Sequence, residues 1–65
     1  MAMVKVIEVW NDPQGWETQI NSFNKTEGIR VVATQTHVNP IPKQDGSSGL
    51  EGVQYIAIIY YNIMR

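Results

Sequence analysis

Cysteine is missing from this chain, histidine occurs once and arginine twice in 65 residues. Without cysteine there are no disulfides, and most structural zinc sites are excluded with them. A single imidazole cannot anchor a histidine-rich metal site, so neither a metal nor a cofactor is expected. A basic excess is lacking too: five basic residues face six acidic ones, for a net charge of −1. Proteins that hold DNA or RNA through phosphates carry the opposite balance, so nucleic-acid binding is disfavoured. The amino terminus, MAMVKVIEV, has no basic-then-apolar leader layout, and no internal repeat or run of like charge follows. These absences give the expectation of a cytoplasmic protein with no membrane partner. A domain of this size buries only about 60% of the surface its unfolded chain exposes. Of the usual reinforcements, only a partner chain remains.

What is present centres on Val53 to Met64, VQYIAIIYYNIM. At period two, Val53, Tyr55, Ala57, Ile59, Tyr61 and Ile63 share one face, and Ile56, Ile58, Tyr60 and Met64 the other. Both faces are largely apolar, which a strand with one wet side would not be. The segment is too short, and too interrupted by Gln and Asn, to cross a bilayer. It reads as a central strand with more apolar surface than so small a chain can cover, and this points to self-association.

The remaining elements follow in order. Residues 3–10 alternate as a strand, with Val4, Val6 and Trp10 on one side and Met3, Lys5, Ile7 and Val9 on the other. Asp12 and Pro13 suit the N-cap and first position of a helix over 13–26, which Gly15 weakens in its first turn. Trp16, Ile20 and Phe23 form its apolar stripe, and Gly28 stops it. Residues 29–38, rich in β-branched side chains, predict a second strand. Its alternation puts Ile29, Val31, Ala33, Gln35 and His37 on one face. A Pro-, Gly- and Ser-rich loop over 39–52 then leads to the last strand, 53–64. The expectation is a single α+β domain spanning 1–65, with β-α-β-β order. Its three-stranded sheet has order 1-3-2, with the helix on one face and the other face used in oligomerisation. That second face is expected to leave Ile7, Val9, Val32 and part of the last strand in water.

Val4-Lys5-Val6 near the start, Ile20-Asn21 with Phe23 on the helix, Val31-Val32, and the closing Tyr55, Ala57, Ile59 and Tyr61 form a layout. It resembles a family of short sporulation-associated proteins of endospore-forming bacteria and their phages. The resemblance implies a small βαββ fold and supplies no catalytic residues. A looser similarity, in size, oligomeric character and loop chemistry, is to the phage sponge proteins that sequester nucleotide immune signals.

His37 could pair with Asp45 or Glu51 for acid–base work, but the stronger reading is a solvated or hydrogen-bonded histidine at a strand end. No nucleophile elbow is present, so no catalytic residue is assigned and an enzyme is not expected. Lys43 to Gly49 combines a lysine, glycines and serines in a way that could hold a phosphate or carboxylate, although it is not a Walker loop. Tyr55, Tyr60 and Tyr61 cannot all face one core. Aromatics on a small sheet also suit single-stranded RNA, against which the acidic balance counts. The leading expectation is a non-enzymatic homo-oligomer that binds a small anionic, nucleotide-like ligand where subunits meet. In it Trp10 stacks on a base, Arg30, Lys43 and Arg65 answer phosphate charge, and Ser47, Ser48 and Tyr61 orient the ligand by hydrogen bonds. The alternative is a structural or protein-interaction module of the sporulation type, with no small-molecule ligand.

Overall fold

Asn11 ends the first strand, β1 (Ala2–Trp10), and ties it to a segment far along the chain. In the computed structural model, which describes residues 2–64, Asn11 takes φ 59°. This left-handed conformation is tolerated by Asn better than by most residues. Its amide donates to the Val53 carbonyl at 2.9 Å, and its Oδ1 accepts from the Val53 amide at 2.8 Å. The side chain thus extends the ladder by one step after the backbone has turned away.

Asp12 then caps helix α1 (Pro13–Asn24), its Oδ1 accepting from the Gly15 amide at 2.9 Å, with Pro13 in the first turn. Gly15 has a use that helix propensity hides. A Cβ there would collide with the Asp12 carboxylate, so the glycine makes room for the cap. The helix stops two residues short of the expected 26. Lys25 closes it with bonds to Asn21 and Ser22 carbonyls, and Gly28, at φ 85°, turns the chain into β2 (Ile29–Pro42).

The last strand, β3 (Leu50–Ile63), lies between the other two and antiparallel to both, so the sheet order is β1-β3-β2 as expected. Both β2 and β3 run further than their composition suggested, leaving a loop of only 43–49. Pro40 and Pro42 are accommodated because β2 is an edge strand. A missing N–H costs no ladder bond on the side that has no neighbour, and it discourages pairing with another sheet.

The helix sits over the face carrying Tyr55, Ala57, Ile59 and Tyr61. Ile7, Ala57 and Ile59 are buried there, with Val9, Trp16, Ile20, Phe23 and Val31 packed around them. Trp16 stacks at a tilt on Tyr55, with centroids 5.2 Å apart, and Phe23 meets Tyr61 edge-on at 5.0 Å. The Trp16 indole N–H finds no acceptor among the described residues. Its cost, about 1–3 kcal/mol, is set against the packing of the ring. Ile7 and Val9, expected in water, therefore belong to the core, and Val4 and Val6 are the β1 residues left outside. The partition of β2 also changes part-way. A β-bulge at Val32 lets Val31 pair with Tyr61 and Ala33 with Tyr60. Beyond it Thr34, Thr36 and Val38 share the helix side, and Ala33, Gln35 and His37 pass to the open side. A one-residue insertion exchanges faces because side chains alternate at period two.

Candidate functional site

The face turned away from the helix is built around the outward row of β3: Gln54, Ile56, Ile58, Tyr60 and Asn62. Directly opposed residues of antiparallel strands share a face, so Val4, Val6, Glu8 and Trp10 flank this row on one side. Arg30, Ala33, Gln35, His37 and Asn39 flank it on the other. Val4 is 54% exposed, Val6 57% and Trp10 51%. Helix α1, the one helix among the described residues, lies on the far side, so this apolar strip has no cover in a single copy. Of the three tyrosines, Tyr60 alone lies on it, since Tyr55 and Tyr61 pack under the helix.

One end of the face holds a cavity of about 360 Å³ lined by Trp10, Asn11, Ile41, Glu51 and Gly52. Gly52 contributes no side chain to the sheet surface, which leaves a pit beside the Trp10 ring. A Cβ on Gly52 would come within 3.0 Å of Asn11 Oδ1, so the ladder-extending bonds of Asn11 and the pit depend on the same glycine. The Trp10 indole N–H donates to Glu8 Oε1 at 2.9 Å, which fixes the ring's tilt.

The residues expected to bind a ligand are dispersed. Trp10 is level with Gln54 and Arg30 with Asn62, about 26 Å apart along the strand at ordinary β rise. Both lie on the open face. Tyr61 lies on the opposite face, against Phe23. Lys43, Ser47 and Ser48 are at the hairpin tip, where Asp45 takes up the donors: its Oδ1 accepts from the Ser47 amide at 2.9 Å and from the Ser47 hydroxyl at 2.6 Å. Lys43 curls beside Gly49. Arg65 lies outside the described residues. His37 is on the open face across from Ile56. No cluster of three metal-ligating side chains occurs among the described residues, nor does a helix long and apolar enough to cross a membrane. Asn11, Ile41 and Gly52 were not singled out by sequence reasoning. An Asn before Asp-Pro is an ordinary turn signal, and its partner strand lies some forty positions away.

The two Ser47 bonds, the hydroxyl first, hold the Asp45 carboxyl below the usual aspartate range. The sign follows from linkage: a depressed carboxyl pKa contributes order above its unfolded value and loses it as pH falls through the folded value. The Ser47 amide resonance is expected to move only in acid, with a midpoint below that of an unperturbed aspartate. Asp45→Asn should abolish that titration, and a midpoint at the ordinary value would mean that the turn is not formed in solution.

Compared with known proteins, the chain matches no family, no curated protein and no solved structure.

Proposed function

We propose that this protein is a non-enzymatic homo-oligomer whose working surface is the open face of its sheet. One observation carries the reading: the outward row of the central strand, Ile56, Ile58 and Tyr60, is flanked by exposed Val4 and Val6 with no element of the same copy above it. Ile56, Ile58 and Tyr60 are half-buried by their neighbours, so covering them would recover part of the about 1.5–3 kcal/mol that full burial of such a side chain is worth. A three-stranded sheet with a single short helix has no material left to cover it.

A second reading, ligand capture at the subunit boundary, draws on the half-exposed Trp10 ring beside its cavity. An indole face next to a concavity suits a planar ring such as a nucleobase. The anionic half of a nucleotide is served less well, since Glu8 accepts from the indole N–H and Glu51 lines the cavity. The resemblance to sporulation-associated proteins supports another protein as the partner instead of a second copy.

A native mass spectrum, recorded before and after denaturation, tests these readings together. A multiple of the chain mass without extra mass is the expected result. Added mass of a few hundred daltons, with a thermal shift from a cyclic dinucleotide or ADP-ribose derivative, would turn the assignment to ligand capture. A single copy at micromolar dilution, with no partner, would remove the proposal.

A further inference from the structure

We infer that the free edge of β1 pairs with β1 of a second copy, antiparallel about a two-fold axis perpendicular to the sheet. This contact lies in the plane of the sheet, goes beyond the open-face reading and does not depend on it.

One hydrogen bond sets the direction of every backbone group along β1. The Asn11 amide donates to the Val53 carbonyl, so Asn11 and Val53 are a bonded pair of the ladder. Bonded and non-bonded pairs alternate between antiparallel strands. In the register of β1 on β3, Met3, Lys5, Ile7 and Val9 therefore turn their N–H and C=O groups to β3. Ala2, Val4, Val6, Glu8 and Trp10 turn theirs outward, where no further strand lies among the described residues. That row has no proline and no bulge, and an uncovered, unbroken edge is a template for another strand.

The opposite edge is obstructed. Pro40 lies opposite Val53, whose backbone groups are turned to Asn11, so the proline nitrogen faces outward with no hydrogen to offer. The bulge at Val32 breaks the same edge further back. Between these two, only Thr34, Thr36 and Val38 turn backbone groups outward.

A copy of β1 is the strand this asymmetry selects. Pairing β1 with the β2 edge of the next copy would repeat without closing, and Pro40 and the bulge obstruct it. Pairing β1 with β1 closes after two copies. Outward residues then meet outward residues, and the open faces of both copies lie on the same side. At full overlap of the nine residues, Val6 lies opposite Val6, Val4 opposite Glu8, and Lys5 opposite Ile7, so no like charges oppose. The exposed Val4 and Val6 of the two copies come side by side, and the bulky Trp10 falls beside Ala2.

Backbone bonds between two strands hold weakly in water, so the contact is to be read at millimolar concentration. In the parent and in an Ile58→Glu chain, amide exchange at Val4, Val6 and Glu8 is expected to slow about fivefold or more between ~20 µM and ~1 mM protein. The Lys5, Ile7 and Val9 amides, bonded to β3, should already be slow at the lower concentration. Val6→Pro removes an outward N–H and no bond to β3, and should abolish the slowing while those three stay protected. No slowing at Val4, Val6 and Glu8, or slowing confined to Thr34, Thr36 and Val38, would overturn the inference. Slowing that survives in a folded Val6→Pro chain would do the same. The unsubstituted edge decides the matter even if the proline variant fails to fold. Failure here leaves the open-face reading in place, since that contact is read from native mass at micromolar dilution.

Discussion

Ile58→Glu is expected to leave the subunit folded and to separate the copies. Ile58 lies at the middle of the open row, with Val6 and Gln35 beside it, and does not touch the core formed by Ile7, Ala57 and Ile59. Ile58 is partly buried by those neighbours, so the subunit loses less than it would at a core position. On the proposed homo-oligomer reading the same position is covered by another copy, so the substitution places a carboxylate in a surface that has given up its water. Burying unpaired charge costs several kcal/mol per ion, so the dissociation constant should rise by about a hundredfold or more, about 2.7 kcal/mol at ordinary temperature. Sedimentation equilibrium measures the constant, and circular dichroism at a dilution where both proteins are single copies checks the fold. Ile58→Leu, which keeps volume and polarity, should stay within a few fold of the parent. A glutamate variant that associates as tightly as the parent would mean that the copies meet elsewhere.

Ile59→Ala, one position along, is expected to act on the opposite property. Ile59 is fully buried at the centre of the sheet beneath the helix, and truncating a buried isoleucine costs about 2–5 kcal/mol. For a domain this small, the whole stability is on the order of 5 kcal/mol. Each kcal/mol lowers the melting temperature by about 4–8 °C at this length, so the cooperative melt should fall by at least ~10 °C or vanish. Ile63→Ala, at a position 52% exposed on the same strand and face, should cost well under half as much. Both melts belong at one protein concentration, because association stabilises the folded chain by mass action. Equal losses at 59 and 63 would mean that the core is not where the packing of Trp16, Ile20 and Phe23 places it. Adjacent residues on one strand thus point to opposite sides of the sheet, Ile59 into the core beneath the helix and Ile58 onto the open face.

The central strand was legible because its two period-two rows are both apolar, a property of residue order alone. Sheet order followed, since a helix between the first two strands leaves the place between them to the most apolar one. The helix start was legible in Asp12-Pro13, and Trp16 as a core ring in its spacing from Ile20 and Phe23. Three features were not legible. The choice between Ile7 with Val9 and Val4 with Val6 for the core depends on where the Trp16 and Phe23 rings land, on Tyr55 and Tyr61; the sequence contains two equally greasy sides of β1 and nothing local to rank them. The bulge at Val32 lies in a run of β-branched residues with no glycine to mark it, and it reverses the face of every later residue in β2. Pro40 and Pro42 read as loop because proline opposes a ladder, an objection that lapses on an unpaired edge.

For the candidate site the division is similar. Trp10 at a strand end, and a sheet face in need of cover, could be read from pattern. Lys43, Ser47 and Ser48 looked like an anion cradle because of their residue types, whereas the fold turns the Ser47 donors onto Asp45. Tyr61 looked available and is packed against Phe23. The cavity needed Asn11 and Gly52, distant in sequence, to meet at one corner of the sheet.

By itself, then, the order of residues determined which segments pair, which strand is central, and that one copy carries more apolar surface than it can shelter. Those are consequences of period and composition, and they hold wherever the helix lies. The tertiary structure alone decided which face stays open and which charged groups stand at its two ends. Such outcomes depend on ring-against-ring packing and on a single inserted residue, and neither leaves a periodic trace in the chain.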